Sequence, residues 1–308
     1  MDALSDIIRL LRPQTVLLGG LAASGQWGIL VPPQQGPTFY IVTAGRCWFR
    51  RHDGDMFELN EGDYVLSAKP TADAFLSEPG MRTVLSDESF KASNSVNGEV
   101  RIGDPQHQAE TRIMGGLIVC DVANAGLLVE LLPRYIHLRA AEEAGARLHS
   151  LISIIRDEAG ASRQGRDSVL ARLIEVMLIE TLRRESALSL PDRGLLGGLA
   201  DPQLAKAITD IHADVGRSWT VGELAERSGM SRAVFARRFS EAVGLAPVEY
   251  LLQWRMALAK DALHRGSGSL EDIALKIGYK SASAFSTAFR QRVGCPPSEY
   301  AAAIHSRG

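Results

Sequence analysis

The sequence predicts an α+β protein, in which an N-terminal β-barrel and a helical hairpin precede an all-α C-terminal domain. Three patterns predict this fold. Short β-forming runs separated by Gly and Asp turns extend from Val16 to Leu138, two helical apolar stripes fill residues 141–186, and a pattern of about fifty residues occurs twice between Val221 and Tyr300. They divide the chain into residues 1–140, 141–186, 187–200 and 201–308.

The first residues are typical of a short amphipathic helix. Between residues 2 and 12, Leu4, Ile7, Ile8 and Leu11 recur at helical spacing. Pro13 ends the pattern because a proline disfavours helical geometry in the residue before it.

The region that follows is typical of a small β-barrel or sandwich. Runs of β-forming residues at 38–43, 46–50, 56–59 and 64–66 alternate with turns, of which Asp53-Gly54 is a strong hairpin signal. Later strands are expected at 81–85, 111–119 and 127–132. Short strands with frequent Gly and Asp turns favour this fold over a helical one.

Residues 141–186 predict an αα-hairpin with two apolar stripes. The second stripe is broader than one side of a barrel needs, so we expect the hairpin to form a homodimer interface. The alternative is that it belongs to the core of a single chain. The first stripe contains Leu148, Leu151, Ile152 and Ile155, and the second contains Leu170, Leu173, Ile174, Met177, Leu178 and Leu182.

Residues 187–200 are expected to be a linker. Their composition is rich in Leu, Gly, Pro and Ser, and Gly194, Gly197 and Gly198 predict flexibility. Asp201 is the expected N-cap of the next helix, with Pro202 in its first turn.

Each copy of the repeat has the pattern of a helix-turn-helix. A short helix with a small Ala on its buried face leads to a glycine at the turn, a serine at the N-cap and two phenylalanines on one face of a second helix. The first copy has Leu224-Ala225, Gly229, Ser231, Phe235 and Phe239, and the second has Ile273-Ala274, Gly278, Ser281, Phe285 and Phe289.

The outer faces of the two second helices are small, polar or cationic, which suits a helix in a DNA major groove. The arginines are candidates for guanine O6 and N7, while other cations and the N-cap serines are assigned to phosphates. The base-contact candidates are Arg232, Ala233, Ala236, Arg237, Ser283, Ser286 and Thr287, and the phosphate candidates are Ser231, Arg238, Lys280, Ser281 and Arg290.

The second copy resembles the AraC/XylS family of transcription regulators. The resemblance rests on Ile273-Ala274, Gly278-Tyr279, Phe285, Phe289-Arg290, Gly294 and the closing run Pro296-Pro297-Ser298-Glu299-Tyr300. It implies a sequence-specific regulator that binds double-stranded operator DNA through residues 201–308 and has RNA polymerase as a partner. The stretch from Gly45 to Leu66 resembles the cupin-like sensor domain that precedes the DNA-binding domain in one branch of this family.

Two kinds of input signal are compatible with such a sensor domain. A small molecule would lie against Tyr40, Trp48, Phe49 and Tyr64, or an oxidant would react with Cys47 or Cys120. Both cysteines also fit the role of small buried hydrophobic residues.

Metal and catalytic sites are not expected. Cupins that bind metal carry several His and a Glu on facing strands, whereas the barrel region has only His52, His107 and, at its very end, His137. Paired carboxylates, a Ser/His/Asp arrangement and a Gly-rich phosphate loop are not found, so we expect no cofactor and no catalysis. A cupin-type metal enzyme with an appended DNA- or protein-binding module is the alternative.

Composition is that of an ordinary globular protein, with 45% hydrophobic residues, 23% charged residues and a net charge of −2. The end with the repeat is the more basic one, since the chain from Asp201 onward has 14 Lys and Arg against 11 Asp and Glu. Three widely spaced cysteines, with no signal peptide or membrane-spanning run, lead us to expect a soluble cytoplasmic protein.

Overall fold

A computed structural model describes residues 2–96, 99–104, 106–120, 135–140, 146–161, 163–187 and 194–305. The chain divides into two compact units. Among the described residues, the barrel unit contains 13–119 and 135–181, and the helical unit contains 2–12, Cys120 and the chain from Leu182 onward. No helix in these ranges is long and apolar enough to cross a membrane.

Two sheets form the barrel unit. The larger has seven strands in the order β12-β6-β3-β11-β1-β10-β9, and the smaller has five in the order β5-β4-β7-β2-β8. The strands are β1 Gln14–Ser24, β2 Gly28–Val31, β3 Thr38–Ala44, β4 Arg46–Arg50, β5 Met56–Asn60, β6 Tyr64–Ser67, β7 Asp73–Leu76, β8 Val84–Leu85, β9 Ser95–Val96, β10 Glu99–Gly103, β11 Thr111–Val119 and β12 Tyr135–Leu138.

The core of this unit lies between the two sheets. Inward-facing side chains of β1, β3, β6 and β11 meet those of β2, β4, β5 and β7, and Phe49 and Phe75 lie at its centre with exposed fractions of 0% and 1%. The predicted barrel or sandwich is therefore confirmed, because alternate residues of each strand turn towards one shared core.

Among the described residues, the helices are α1 Ala3–Leu11, α2 Glu88–Asn94, α3 Ala146–Gly160, α4 Arg166–Ala187, α5 Leu195–Ala200, α6 Pro202–Ala213, α7 Val221–Arg227, α8 Arg232–Val243, α9 Pro247–His264, α10 Leu270–Lys276, α11 Ala282–Val293 and α12 Pro297–His305. Helices α3 and α4 form the expected hairpin. The strand expected at 81–85 is shorter, since only Val84–Leu85 pairs, and the strand expected at 127–132 lies outside the described residues.

The wide apolar stripe of the hairpin lies in the core of the chain itself. Leu170, Ile174 and Met177 are each 0% exposed, and Leu178 and Leu182 are each 1% exposed. A partner subunit cannot reach these side chains. The expectation that this stripe forms the dimer interface is therefore wrong for its buried members.

The predicted flexible linker contains a packed helix. Helix α5 begins after Gly194, and Leu195 and Leu196 are buried against its neighbours α6 and α8. A Cβ atom at Gly198 would lie 2.5 Å from the Val243 Cγ2 atom and 2.9 Å from the Ile208 Cδ1 atom. This glycine therefore permits close helix packing and does not provide flexibility, which corrects the prediction for residues 194–200.

Helix α1 packs on the helical unit, although the chain continues directly from it into the first barrel strand. Ala3, Ile7, Leu10 and Leu11 are buried, and the helix contacts α6 and α9. At its end, the Arg12 guanidinium lies 3.2 Å from the Asp261 carboxylate of α9. The sequence assigned residues 2–12 to the sensor domain, whereas their contacts place them with the DNA-binding helices.

Replacing Leu11 with Ala should lower the free energy of unfolding of the helical unit by about 2–5 kcal/mol, because a buried leucine leaves a cavity when it is truncated. Arg9→Ala on the same helix is the control, since the Arg9 side chain is 58% exposed, and it should change stability by less than about 1 kcal/mol. Chemical denaturation of the full chain measures both. Equal stability of the two variants would show that α1 does not pack on this unit in solution.

Candidate nucleic-acid interface

The first helix-turn-helix is formed by α7 and α8. The Thr220 hydroxyl accepts from the Glu223 amide at 3.2 Å, and the Glu223 carboxylate accepts from the Thr220 amide at 2.9 Å, so α7 begins with a capping box. Gly229 has a φ of 67° at the turn, and the Ser231 hydroxyl caps α8 by accepting from the Val234 amide. These local interactions start α8 at the residue that the sequence predicts.

The second helix-turn-helix, formed by α10 and α11, repeats this construction. Ser269 and Asp272 form the capping box of α10, Gly278 turns the chain with a φ of 85°, and the Ser281 hydroxyl accepts from the Ala284 amide at 3.2 Å. In addition, the Glu271 carboxylate accepts from the Ala282 amide at 2.9 Å and so joins the two helices of the unit.

Each second helix is anchored by its two phenylalanines. Phe235 and Phe239 of α8, like Phe285 and Phe289 of α11, are 0% exposed, with ring centroids 5.5 Å apart in each pair. Because these rings fix one face of each helix in a core, the opposite face is directed towards solvent.

The predicted base-contact residues lie on those outward faces. Arg232, Ala233 and Arg237 are exposed and Ala236 is half-buried on α8, while Ser283 and Thr287 are exposed and Ser286 is half-buried on α11. The Thr287 hydroxyl donates to the Ser283 carbonyl of its own helix at 3.1 Å. The outer face of α8 therefore presents two long cations, and the equivalent face of α11 presents short polar groups.

The predicted phosphate contacts divide into two groups. Ser231, Lys280 and Arg290 are exposed, and Ser281 is half-buried. Arg238 is instead held within the unit, because its guanidinium pairs with the Asp201 carboxylate and donates to the Gln203 side chain at 3.1 Å. A phosphate contact by Arg238 would require this pair to open.

One buried arginine holds the long helix α9 to the turn before α7. Arg255 is 8% exposed, and its guanidinium donates to the carbonyls of Val215 at 3.0 Å and Arg217 at 2.9 Å. A Cβ atom at Gly278 would overlap the Gly216 carbonyl oxygen of the same turn. The contact therefore joins both helix-turn-helix units, and no sequence pattern pointed to Arg255 because it is one charge on an otherwise apolar helix face.

Further ion pairs brace the scaffold. The Arg292 guanidinium of α11 donates to the Glu249 carboxylate of α9 at 2.5 and 3.0 Å. In the first unit, Arg227 donates to the Asp210 carboxylate at 2.6 Å. Helix α9 has 18 residues and is therefore about 27 Å long, which is comparable to the roughly 34 Å between successive major grooves.

Comparison with known proteins identifies the family. A family described as a helix-turn-helix domain matches residues 224–303, and a cupin family matches residues 2–187. A putative AraC-like transcription regulator of Streptomyces antibioticus is 33% identical, over 97% of this chain and 98% of its own length. The chain belongs to the AraC family.

Other known proteins are similar over the same extent or over the DNA-binding domain. The transcriptional regulator AlkR of Acinetobacter baylyi is 28% identical over 97% of this chain and 99% of its own length. The solved DNA-binding domain of AdpA, in complex with a target DNA, is 32% identical over 35% of this chain and 96% of that one, with a TM-score of 0.33. This AraC-family chain is a transcription regulator with an N-terminal cupin domain and a DNA-binding helix-turn-helix domain.

The four residues expected to line a ligand pocket do not come together in this cupin domain. Tyr40 and Phe49 lie in the barrel core with ring centroids 6.2 Å apart. Trp48 is half-buried on the opposite face of β4 from Phe49, and Tyr64 points away from Val65, which faces the core. These side chains are separated because successive residues of a strand point to opposite faces of the sheet. The sequence pattern predicted the strands but not which face of each strand meets the core.

Cys47 is a buried thiol. It is 1% exposed, and burial, together with the charges of Asp63 and Glu58, raises the pKa of its thiol to about 12. Arg46 is exposed and lies 3.4 Å from the Glu58 carboxylate, so it does not stabilise a thiolate. Cys120 is also buried. These surroundings suit small hydrophobic residues better than reactive thiols.

The barrel also contains a buried acid, Asp73, which no sequence pattern singled out. Asp73 is 0% exposed, and burial raises the pKa of its carboxyl to about 6 against the opposing hydrogen bond from the Tyr135 hydroxyl at 3.1 Å. The Tyr135 hydroxyl also contacts the His52 ring at 3.2 Å. His52 and His107 are exposed, and among the residues described here no group of three or more His, Cys, Asp or Glu could hold a metal ion.

His212 supplies a pH-dependent element beneath the first helix-turn-helix. Its ring stacks on Trp254 with centroids 3.9 Å apart, and its Nε2 atom lies 2.7 Å from the Tyr250 hydroxyl. Burial lowers the pKa of His212 to about 3, and the Asp6 carboxylate of α1 lies 3.8 Å from its Nδ1 atom. The ring is therefore neutral at pH 7.

Lowering the pH from 7 to 5 should destabilise the helical unit by up to about 2 kcal/mol through His212, because the unfolded histidine binds a proton below about pH 6.5 and the buried one does not. The His212→Gln variant should lose this part of the pH dependence, as measured by denaturant unfolding at both pH values. His107→Gln, at an exposed histidine of the barrel unit, should leave the unfolding of the helical unit unchanged at both pH values. A His212→Gln protein with the wild-type pH dependence would contradict the assignment.

Proposed function

We propose that one chain of this regulator reads an asymmetric operator through α8 and α11, and that its cupin domain binds a small-molecule effector. The observation that carries the DNA part is the pair of exposed helix faces on a common scaffold, anchored by Phe235 and Phe239 in one unit and Phe285 and Phe289 in the other. Two recognition helices braced by one long helix can enter successive major grooves on one side of the duplex.

Base discrimination should be stronger in the first unit. Arg232 and Arg237 are long enough to reach guanine O6 and N7 with two hydrogen bonds. Ser283, Ser286 and Thr287 can reach bases only by close approach or through water. Lys280 and Arg290 are assigned to phosphates, which position the protein and do not specify the sequence.

A small molecule is favoured over an oxidant as the signal. The Cys47 thiol is buried and its pKa is raised, so its thiolate is disfavoured at neutral pH. We assign no catalytic step to the cupin domain, since its similar relatives are named as transcription regulators. Activation would add RNA polymerase as a protein partner, and the site of action would be the cytoplasm.

Arg237→Ala should weaken binding to the operator by about 1–3 kcal/mol, with little effect on a duplex of scrambled sequence, because a base contact is lost. Thr287→Ala at the equivalent position of the second unit is the matched control and should have a smaller effect. The operator is first recovered from genomic DNA that the protein binds. Fluorescence anisotropy then measures the affinity for the operator duplex and for the scrambled duplex. An equal loss on both duplexes would reassign Arg237 to a phosphate contact.

A homodimer formed through the hairpin remains part of the proposal, but on a different face of α4. Val169 and Val176 are 44% and 43% exposed, and Leu173, between them at helical spacing, is half-buried. Ile154 of α3 is 50% exposed. These side chains can meet a second copy without disturbing the core that Met177 occupies.

Val176→Glu should shift the protein from dimer to monomer in analytical ultracentrifugation, with a melting temperature close to that of the wild type. Met177→Ala is the matched control on the adjacent, buried position, and it should lower stability by about 2–5 kcal/mol and leave the association constant unchanged. A Val176→Glu protein that stays dimeric would exclude this face, and a wild-type monomer at micromolar concentration would exclude the dimer itself.

A further inference from the structure

The barrel unit contains a cavity of about 880 Å³ beside strands β1 and β10. Helix α2 and the segment before β11 contribute to its walls. Its lining includes Ala22, Ser24, Arg101, Gly103, Asp104, His107 and Arg112.

Two arginines flank this cavity in one row across three strands. In the strand register, Ala22 of β1 is paired with Arg101 of β10 on one side and with Arg112 of β11 on the other. Paired residues of neighbouring strands point to the same face, and Ala23 faces the barrel core, so the row lies on the opposite face of the sheet. With strands about 4.8 Å apart, the two arginine backbones are roughly 10 Å apart.

Small residues keep the space between the arginines open. Ala22 has only a methyl group, and the next pair along the same face is Ser24 with Gly103. The Ser24 hydroxyl is turned away into a bond with the Asp104 carbonyl at 2.6 Å. A ligand group bound between the two arginines would therefore contact only small side chains of the sheet.

The two arginines of this cavity differ in their partners. The Arg112 guanidinium pairs with the Glu99 carboxylate, whereas Arg101 is exposed and has no hydrogen-bond or ion-pair partner among the described residues. The Asp104 carboxylate is already engaged, because it accepts from the Gln106 amide and contacts the His107 ring, each at 2.9 Å. Arg101 is thus left without a carboxylate partner, in the same row as Arg112 on the other side of Ala22.

Glu99 acts here as a positioning residue. A Cβ atom at Gly20 would lie 3.2 Å from the Glu99 Cγ atom, so the side chain of Glu99 crosses β1 over this glycine to reach Arg112. The ion pair fixes the direction of the Arg112 fork and leaves its remaining donors available for a ligand.

We propose that this cavity binds the oxyanion of a small molecule, a carboxylate or a phosphate, between Arg101 and Arg112. Guanidinium groups match the geometry of both oxyanions with paired, charge-assisted hydrogen bonds. A bound anion would supply the carboxylate-like partner that Arg101 lacks. That the anion is the effector rests on the proposed regulatory function, while the binding itself does not.

The test is calorimetric titration of the full-length protein with sodium pyrophosphate and, separately, with sodium citrate. Arg101→Gln should weaken binding of at least one of them by about tenfold or more, because a charge-assisted contact is lost. Arg82→Gln is the matched control, since Arg82 is an exposed arginine of the same unit outside the cavity, and it should bind as the wild type does. The preferred probe distinguishes a phosphate ligand from a carboxylate ligand.

Anions can also bind to the DNA-binding helices, and an Arg237→Gln variant identifies that contribution. The binding heat that this variant loses should be the same whether or not Arg101 is also replaced. The proposal is overturned if neither probe binds the wild type at millimolar concentration, or if Arg101→Gln and Arg82→Gln bind equally. Operator affinity measured on the same proteins keeps the two hypotheses apart. A wild type that binds no operator would count against the regulatory function and would leave the anion titration valid.

Discussion

The arrangement of the DNA-binding helices depends on one buried guanidinium. Arg255 lies in the middle of α9, and burial lowers the pKa of its side chain, although it stays charged at any physiological pH. A buried charge is tolerated only when its donors are satisfied, and here the carbonyls of the turn before α7 accept them. Gly278 of the second helix-turn-helix packs against the same turn, so this contact joins α9 and both units.

The structure also changes where the functional domains begin and end. Helix α1, from the start of the chain, and helix α5, from the presumed linker, both pack on the DNA-binding helices. Through α1, the first strand of the barrel is joined by two residues to a helix of the other unit. Helix α1 in turn contacts α9 through the ion pair of Arg12 with Asp261.

Arginine placement separates the roles of the two units. Exposed arginines without a carboxylate partner in the described structure, such as Arg237 on α8 and Arg101 on β10, are suited to bind an external anion or a guanine. Arg238 and Arg292 have carboxylate partners within the helical unit and stabilise its packing. The same residue type therefore serves recognition or architecture according to whether the fold provides an acceptor.

By itself, the sequence determined the elements whose signals are local. The glycine turns, the serine N-caps and the phenylalanine pairs of both helix-turn-helix units depend on residues within one or two helical turns of each other, and all were found where the spacing predicts them. Strands β3 to β6 and β11 followed in the same way from β-forming runs and turns. These features depend on backbone geometry and period, which a sequence displays directly.

Only the tertiary structure decided which residues meet across long separations in the chain. The pairing of Ala22 with both Arg101 and Arg112, the packing of Gly198 on Val243, and the burial of Arg255 against the turn before α7 all join segments far apart in sequence. The broad stripe of α4 likewise became core and not interface, because α4 is covered within its own chain. A pattern shows that a face is apolar, but its partner is set by packing, which depends on the whole fold.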